Sequence, residues 1–177
     1  CMGSWGSKEI ETKTKEPYGL NVPVITIRDM VKAQETLLDH LEVEKLLCAT
    51  GGSMGGMQLL EFCTIFPNKT FSAIPIACST SHSAQNIALN ELARQAIMAD
   101  PVWDKGKYLI KNVQPKHGLA VARMVGHISY LSEKGMQEKF GRKIPEKADY
   151  EVSFDADFHF ESYVRNKGSA LLERYNA

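Results

Sequence analysis

The chain has 177 residues, of which 44% are hydrophobic and 24% are charged, and its 21 Lys and Arg residues balance 21 Asp and Glu residues. This composition is that of an ordinary globular protein, and the length allows one core with a small appended subdomain. The zero net charge argues against a broad basic surface for nucleic acid, and no apolar run approaches the roughly 20 residues that cross a membrane.

Helical and strand patterns alternate through the first half of the chain. Residues 1–23 are predicted to form a loop, and apolar residues at helical spacing over 23–41 predict a helix with Thr26 as its N-cap and Asp29 as the capping-box partner. The segments that follow predict, in order, a buried strand over 45–50, a helix over 54–66 and a second strand over 71–78. This order is typical of a parallel sheet covered by helices.

The second half of the chain has a different character. Helical spacing recurs over 83–99, 118–140 and 158–175. A polar loop is predicted over 100–117, and only the stretch 150–154 resembles a strand, weakly. We therefore expect two regions, a strand-containing core in residues 1–80 and a helical region in residues 81–177.

The four cysteines, Cys1, Cys48, Cys63 and Cys78, show no CxxC spacing. Zinc ribbons and redox dithiols use such paired spacing, so neither is indicated and no metal site is predicted. Cys48 and Cys78 fall in the predicted strands, where a buried thiol packs as a small hydrophobe. Free thiols are typical of a reducing compartment, so the predicted location is cytoplasmic.

Ser53 stands in the sequence Gly51-Gly52-Ser53-Met54-Gly55, between the first predicted strand and the helix that follows it. A Gly-x-Ser-x-Gly motif in this context is typical of a nucleophilic serine on a sharp strand-to-helix turn, the nucleophile elbow. Small residues at 51 and 55 would let the strand and the helix approach this turn closely. The Met54 N–H, at the positive end of the helix, is the expected first oxyanion donor.

The same glycine-rich stretch has two other interpretations, a flexible turn and a phosphate-binding loop. A Walker-type loop needs a lysine before its final Ser or Thr, and a dinucleotide loop needs Gly-x-Gly-x-x-Gly. The chain has no such lysine here and only part of the dinucleotide pattern. Its position between strand and helix therefore favours Ser53 as a catalytic nucleophile.

A nucleophilic serine needs a base and an orienting acid, which follow such an elbow in the order Asp or Glu, then His. His159 lies only two residues after Asp157, whereas the base normally stands on a loop beyond the final strands of such a sheet, and those strands are not visible in this sequence. His127 lies on an apolar helix and is interpreted as a packing histidine with satisfied hydrogen bonds. We therefore expect the base and the acid outside these residues, in a longer protein of which this chain is an internal piece.

Longer motifs resemble the homoserine O-acetyltransferases of methionine biosynthesis, a family with the α/β-hydrolase fold. The resemblance is carried by residues 23–31, 51–58, 83–88, 94–103, 118–132, 139–142 and 161–163. It runs nearly from end to end and is far more discriminating than an isolated elbow motif.

The resemblance implies an α/β fold: a partial α/β-hydrolase core with an inserted helical lid after the strand that ends near Cys78. It implies that Ser53 takes an acyl group from acetyl-CoA and passes it to the hydroxyl of L-homoserine, with no other cofactor. Arg123 falls on the family's substrate-binding arginine, and its planar fork would hold the homoserine carboxylate. The catalytic Asp and His would lie beyond Ala177, the second oxyanion donor would lie before Cys1, and the full-length enzyme would be a homodimer.

Several alternatives stay open at this point. Arg123 could be a helix arginine that extends to solvent. An acyl-serine is attacked by whichever nucleophile reaches it, so an O-succinyltransferase or a serine esterase with a lid would share the elbow. A non-catalytic fragment that associates through apolar edges is a third alternative, and we expect the isolated 177-residue chain to be inactive.

Overall fold

A computed structural model describes residues 6–144 and 158–171, which divide into two compact units. The core unit is Pro23–Ser83, and the helical unit comprises the described residues on either side of it in sequence. The helices are α1 (Ile27–His40), α2 (Met54–Ile65), α3 (Ala84–Ala99), α4 (Lys116–Ser129), α5 (Glu133–Lys139) and α6 (His159–Leu171), and the strands are β1 (Ala49–Gly52) and β2 (Ala73–Ile76). The weak strand candidate at 150–154 lies outside the described residues.

The two strands of the core unit are parallel and adjacent, as the sequence predicts. Ala49 lies opposite Ala73, and Gly52 lies opposite Ile76. The connecting helix α2 packs against both strands, and α1 packs against α2. Both strands end at the same edge of the sheet, so the turn from β1 into α2 lies beside the carboxyl end of β2.

Helix α1 begins where the sequence predicts, because Thr26 and Asp29 form a complete capping box. The Asp29 N–H donates to the Thr26 hydroxyl at 3.2 Å, and the Thr26 N–H donates to the Asp29 carboxylate at 2.9 Å. Val31 is fully buried on this helix, and a 2.7 Å ion pair joins Arg28 of α1 to Glu61 of α2. Capping and burial together fix the helix that supports α2.

The strands are shorter and less buried than the sequence predicts. All four residues of β2 are exposed, and β1 alternates between half-buried and exposed positions. Within the described residues the sheet has two strands, so each strand keeps one unpaired edge. Cys48, predicted to be buried in a strand, is exposed just before β1, and Cys78 is half-buried two residues after β2 ends.

The helical unit is held together by close helix contacts at two glycines. A Cβ at Gly118 of α4 would lie 2.5 Å from the carbonyl oxygen of Ala96 in α3. A Cβ at Gly168 of α6 would lie 3.1 Å from the carbonyl oxygen of Ala120 in α4. The absence of a side chain at these positions lets α4 pack directly against both neighbours.

Two predicted elements of the helical unit are wrong in detail. The helix predicted over 118–140 is divided into α4 and α5, because Ser132 has an extended backbone and its hydroxyl caps α5 by accepting from the Gly135 N–H at 3.0 Å. The loop predicted over 100–117 contains two short 3-10 helical turns within Pro101–Leu109, separated by a kink at residues 104–106, where φ is positive. In both cases short-range capping and turn geometry override the pattern of apolar residues.

Candidate active site

Ser53 occupies the sharp turn between β1 and α2, at the carboxyl end of the parallel sheet. Its backbone has φ +54° and ψ −121°, a conformation that residues with a side chain rarely adopt. The Ser53 N–H donates to the Ile76 carbonyl at 2.9 Å, and the Ser53 carbonyl accepts from the Met57 N–H at 3.1 Å. The strained turn is therefore held on one side by the end of β2 and on the other by the first turn of α2.

Two glycines make room for this turn. A Cβ at Gly51 would lie 2.3 Å from the Gly55 carbonyl oxygen, and a Cβ at Gly56 would lie 2.6 Å from the sulfur of Cys78. Both distances are far below van der Waals contact, so only glycine fits at either position without a displacement. The prediction that position 55 needs a small residue is wrong, because the space beside Gly55 is open and the second tight contact is at Gly56.

The Ser53 hydroxyl is not used to cap α2. Thr26 and Ser132 precede their helices in the same way, with φ −91° and −71°, and each hydroxyl accepts from the N–H three residues on. Ser53 has φ of the opposite sign and makes no such bond. Its side chain is exposed and has no hydrogen-bond partner among the described residues, so the turn presents an uncommitted hydroxyl.

Met54 is the first residue of α2, immediately after the serine. Helix geometry leaves the N–H groups of the first four residues without an acceptor inside the helix, and it places the positive end of the helix dipole there. A negatively charged oxygen that forms beside the Ser53 hydroxyl would be stabilised by the Met54 N–H. The geometry therefore suits the oxyanion role that the sequence assigns to Met54.

The described residues place no base against the serine. The histidines of the core unit, His40 and His82, make no hydrogen bond to the Ser53 hydroxyl. His159 begins α6 in the helical unit, and Asp157 lies outside the described residues.

In the described ranges, 6–144 and 158–171, no cluster of His, Cys, Asp and Glu could hold a metal ion, and no helix is long and apolar enough to cross a membrane.

A cavity of about 370 Å³ in the core unit is not at the serine. It is lined by side chains of α1, α2 and the segment that follows β2, including Met57, Glu61 and His82. Ser53 does not belong to the lining, and Glu61 is already paired with Arg28. This cavity is therefore not part of the candidate active site.

Arg123 lies on α4 in the helical unit, half-buried, and no described carboxylate forms an ion pair with it. One turn further along α4, His127 packs edge-on against Tyr163 with ring centroids 5.7 Å apart. Burial, and then the cations of Arg123 and Lys167, lower the pKa of His127. Its Nε2 is buried without a hydrogen-bond partner among the described residues, so the prediction that this histidine is satisfied is wrong.

The chain resembles known proteins over nearly its whole length. Residues 6–175 match the model of a family described as having the alpha/beta hydrolase fold. Over all 177 residues the chain is 56% identical to the homoserine O-acetyltransferase of Pelagibacter ubique and covers 48% of that protein. The chain thus spans about half the length of the curated relatives that it matches.

Solved structures show the same fold. The crystal structure of esterase E22 superposes with a TM-score of 0.79 at 27% identity, covering 97% of this chain and 47% of the esterase. The homoserine O-acetyltransferase from Bacillus anthracis superposes with a TM-score of 0.83 at 24% identity, covering 95% of this chain and 44% of that protein. At the latter identity the likeness shows the fold alone, and the fold is common to a transferase and an esterase.

Proposed function

Since the chain belongs to the alpha/beta hydrolase fold family, we propose that it carries the nucleophile of an acyltransferase that uses acetyl-CoA as donor and the hydroxyl of L-homoserine as acceptor. The observation that carries this proposal is the strained turn at Ser53, where the serine hydroxyl does not cap α2. The 56% identity to the Pelagibacter ubique homoserine O-acetyltransferase supports the choice of acceptor. The activity is that of a complete protein that includes this chain.

The reaction has two halves, and Ser53 acts in both. The Ser53 oxygen attacks the thioester carbonyl of acetyl-CoA, a base takes the hydroxyl proton, and CoA leaves as the thiol. The homoserine hydroxyl then attacks the acetyl-serine, which forms O-acetylhomoserine and restores Ser53. The Met54 N–H stabilises the oxyanion of each tetrahedral intermediate. The base and its orienting acid are assigned to the rest of the complete protein.

Arg123 is assigned to the homoserine carboxylate. Its guanidinium is half-buried and has no described carboxylate partner, so its charge remains available for an anion. Burial, and then the cations of Arg123 and Lys167, lower the pKa of the neighbouring His127, which favours the uncharged form of this imidazole. Arginine offers two parallel N–H donors that match a carboxylate, and this geometry orients the acceptor as well as binding it.

The decisive experiment is acyl transfer by the complete protein. With acetyl-CoA alone, rapid quenching and mass spectrometry should find one acetyl group on Ser53, and homoserine should discharge it as O-acetylhomoserine. In the Ser53→Ala variant the acetyl-enzyme should be absent. An acetyl-enzyme that forms normally without the Ser53 hydroxyl would refute the proposal.

A serine esterase is the second candidate, because esterase E22 has the same fold at 27% identity over nearly the whole chain. The two candidates differ in what attacks the acyl-serine, which is homoserine in one and water in the other. CoA release that proceeds at full rate without homoserine would identify a hydrolase. A comparison of acetyl-CoA with succinyl-CoA in the same assay would decide the acyl donor.

The isolated 177-residue chain is proposed to give no turnover. Its described residues supply the nucleophile and one oxyanion donor, and no described base contacts the serine. Homoserine-dependent CoA release from the purified isolated chain, lost on Ser53→Ala, would contradict this. The cytoplasmic location and the homodimer stay predictions.

A further inference from the structure

We propose that Cys78 is a positioning residue for the serine turn. Its side chain sets where the first turn of α2 lies, and therefore where the Met54 N–H stands relative to the Ser53 hydroxyl. This inference rests on the proposed function only in taking Ser53 as the nucleophile. It does not depend on the identity of the acyl acceptor.

The contact between Cys78 and Gly56 carries the inference. A Cβ built on Gly56 would lie 2.6 Å from the Cys78 sulfur, 2.8 Å from the Cys78 Cβ and 3.0 Å from the Gly51 carbonyl oxygen. Gly56 is the third residue of α2, so it belongs to the same helical turn as Met54. The helix backbone therefore rests directly on the cysteine side chain, with no side chain of its own between them.

The chain reaches this contact through a second strained residue. Strand β2 ends at Ile76, whose carbonyl oxygen accepts a 2.9 Å hydrogen bond from the Ser53 N–H. The next residue, Ala77, has φ +47°, in the left-handed region that disfavours residues with a side chain. Cys78 follows and packs on Gly56. Ile76 and Cys78 thus contact the two sides of the serine turn, and the two strained residues, Ser53 and Ala77, lie at the adjacent ends of parallel strands.

A displacement of α2 would change the distance and angle between the Met54 N–H and the oxyanion that forms during the reaction. Oxyanion donors act at hydrogen-bond distance, and their strength falls steeply as the distance or angle departs from ideal. A misplacement of about 1 Å can cost roughly 100-fold in rate. A larger side chain at position 78 should therefore slow acylation of Ser53, while the affinity for acetyl-CoA, which does not depend on this donor, changes little.

The test uses the complete protein and two readouts of Ser53 reactivity, single-turnover acetylation by acetyl-CoA and labelling by a fluorophosphonate. Cys78→Ser, which preserves the size of the side chain, should react within about 2-fold of wild type, and Cys78→Val and Cys78→Leu should react progressively more slowly, by roughly 10- to 100-fold. Cys63→Leu is the matched control, because Cys63 is a free thiol on α2 that lies nine residues beyond Met54. Its rate should remain near that of wild type.

A paired substitution separates positioning from general damage to the fold. Gly56→Ala should slow both reactions roughly 100-fold. Adding Cys78→Gly removes the two closest atoms that the new methyl group meets and should restore most of the rate. A purely structural cysteine would leave the folded Gly56→Ala variant and the double variant with equal reaction rates, and only their free energies of unfolding would differ.

The outcomes distinguish this inference from the proposed function. Folded Cys78→Leu protein that reacts at the wild-type rate, or a double variant no faster than Gly56→Ala, would overturn the positioning role while acetyl transfer stands. If Gly56→Ala does not fold, the graded Cys78 series decides alone. If acetyl transfer to homoserine is absent but fluorophosphonate labelling follows the series, the positioning role stands and the proposed acyl donor or acceptor is wrong.

Discussion

Ser53 and Ser132 both stand directly before a helix, yet their backbones and hydroxyls differ. Ser132 has φ −71° and ψ 155°, and its hydroxyl caps α5 through the Gly135 N–H. Ser53 has φ +54° and ψ −121°, and its hydroxyl caps nothing. The serine with relaxed backbone caps its helix, whereas the strained backbone at Ser53 leaves both the hydroxyl and the helix end that it would have capped without this bond.

The strained backbone at Ser53 is maintained by contacts with residues on both sides of the turn. Gly51 and Gly56 bring the strand and the helix into contact, and the Ile76 carbonyl holds the serine N–H. The turn before α5 needs none of these long-range contacts, since its cap bond closes over three residues. Strain at Ser53 is therefore a property of the whole core unit, while the Ser132 cap is local.

The largest effect expected from this comparison is on turnover. Ser53→Ala should lower acyl transfer by the complete protein by about three orders of magnitude or more, because no acetyl-serine can form. Its melting temperature should stay near that of wild type, since the hydroxyl makes no bond among the described residues. A variant that melts markedly earlier yet turns over normally would show that Ser53 is structural, as Ser132 is.

Arg123 lies in the helical unit, whereas Ser53 lies in the core unit, and its assigned role is to bind the acceptor. Arg123→Ala should raise the KM for homoserine by about 10- to 100-fold, the effect of losing a charge-assisted hydrogen-bonded pair. Acetylation of Ser53 by acetyl-CoA should stay close to normal in single-turnover experiments. Arg123→Lys keeps the charge but not the fork and should fall between the two. Collapse of acetylation with an unchanged homoserine dependence would show that the assigned role is wrong.

Glycine substitutions test whether packing holds the strained turn. Gly51→Ala should lower the free energy of unfolding by about 1–3 kcal/mol, since its methyl group would collide with the Gly55 carbonyl. Gly55→Ala, four residues on, meets open space inside α2 and should be neutral or stabilise by up to about 1 kcal/mol. Denaturant unfolding of the two variants measures both values. Equal effects would contradict the tight contact at Gly51.

The sequence predicts the local features of this site and misses the long-range ones. The elbow at Ser53 and the cap at Thr26 are visible because their patterns span a few residues. The holding contacts at Ile76 and Cys78 join positions more than twenty residues apart, and no periodicity reports them. The predicted burial of β2 is wrong for the same reason. An apolar strand is buried only where neighbouring elements cover it, and here β2 is exposed.

Asp100, in the helical unit, has a buried carboxylate that accepts hydrogen bonds from backbone N–H groups, as the capping hydroxyls of Thr26 and Ser132 do. The charge of this carboxylate depends on pH. Asp100 accepts from the Val102 N–H at 3.0 Å with one oxygen and from the Gly118 N–H at 2.9 Å with the other. The Gly118 N–H, outweighing burial, lowers the pKa of Asp100 below its usual 3.8. Its stabilisation is therefore complete above about pH 4 and is lost as the pH falls through the lowered pKa.

Asp100→Asn tests this contact, because an amide offers one acceptor oxygen for two N–H donors. The variant should lose about 1–2 kcal/mol of unfolding free energy at pH 7, where one buried donor is left unpaired. The difference from wild type should shrink as the pH falls below the usual carboxyl pKa of 3.8, because the unfolded wild-type chain then binds a proton that folding must remove from Asp100. Unfolding curves at pH 7 and pH 3 measure the change. A constant difference would show that the charge of Asp100 is not involved.

The smallest effect is expected at Ser132, and it completes the comparison with Ser53. Ser132→Ala removes the acceptor for the Gly135 N–H, but both residues lie near solvent and water can replace the hydroxyl. The loss should therefore be about 0.5–1 kcal/mol, seen as faster amide hydrogen exchange within α5, a helix of only seven residues. Ser132→Asp should restore protection, because a carboxylate also caps and favours the positive end of the helix. Acetylation of Ser53 should be unchanged in both variants. If Ser132→Ala slowed acetylation as Ser53→Ala does, backbone strain would not be what separates the two serines.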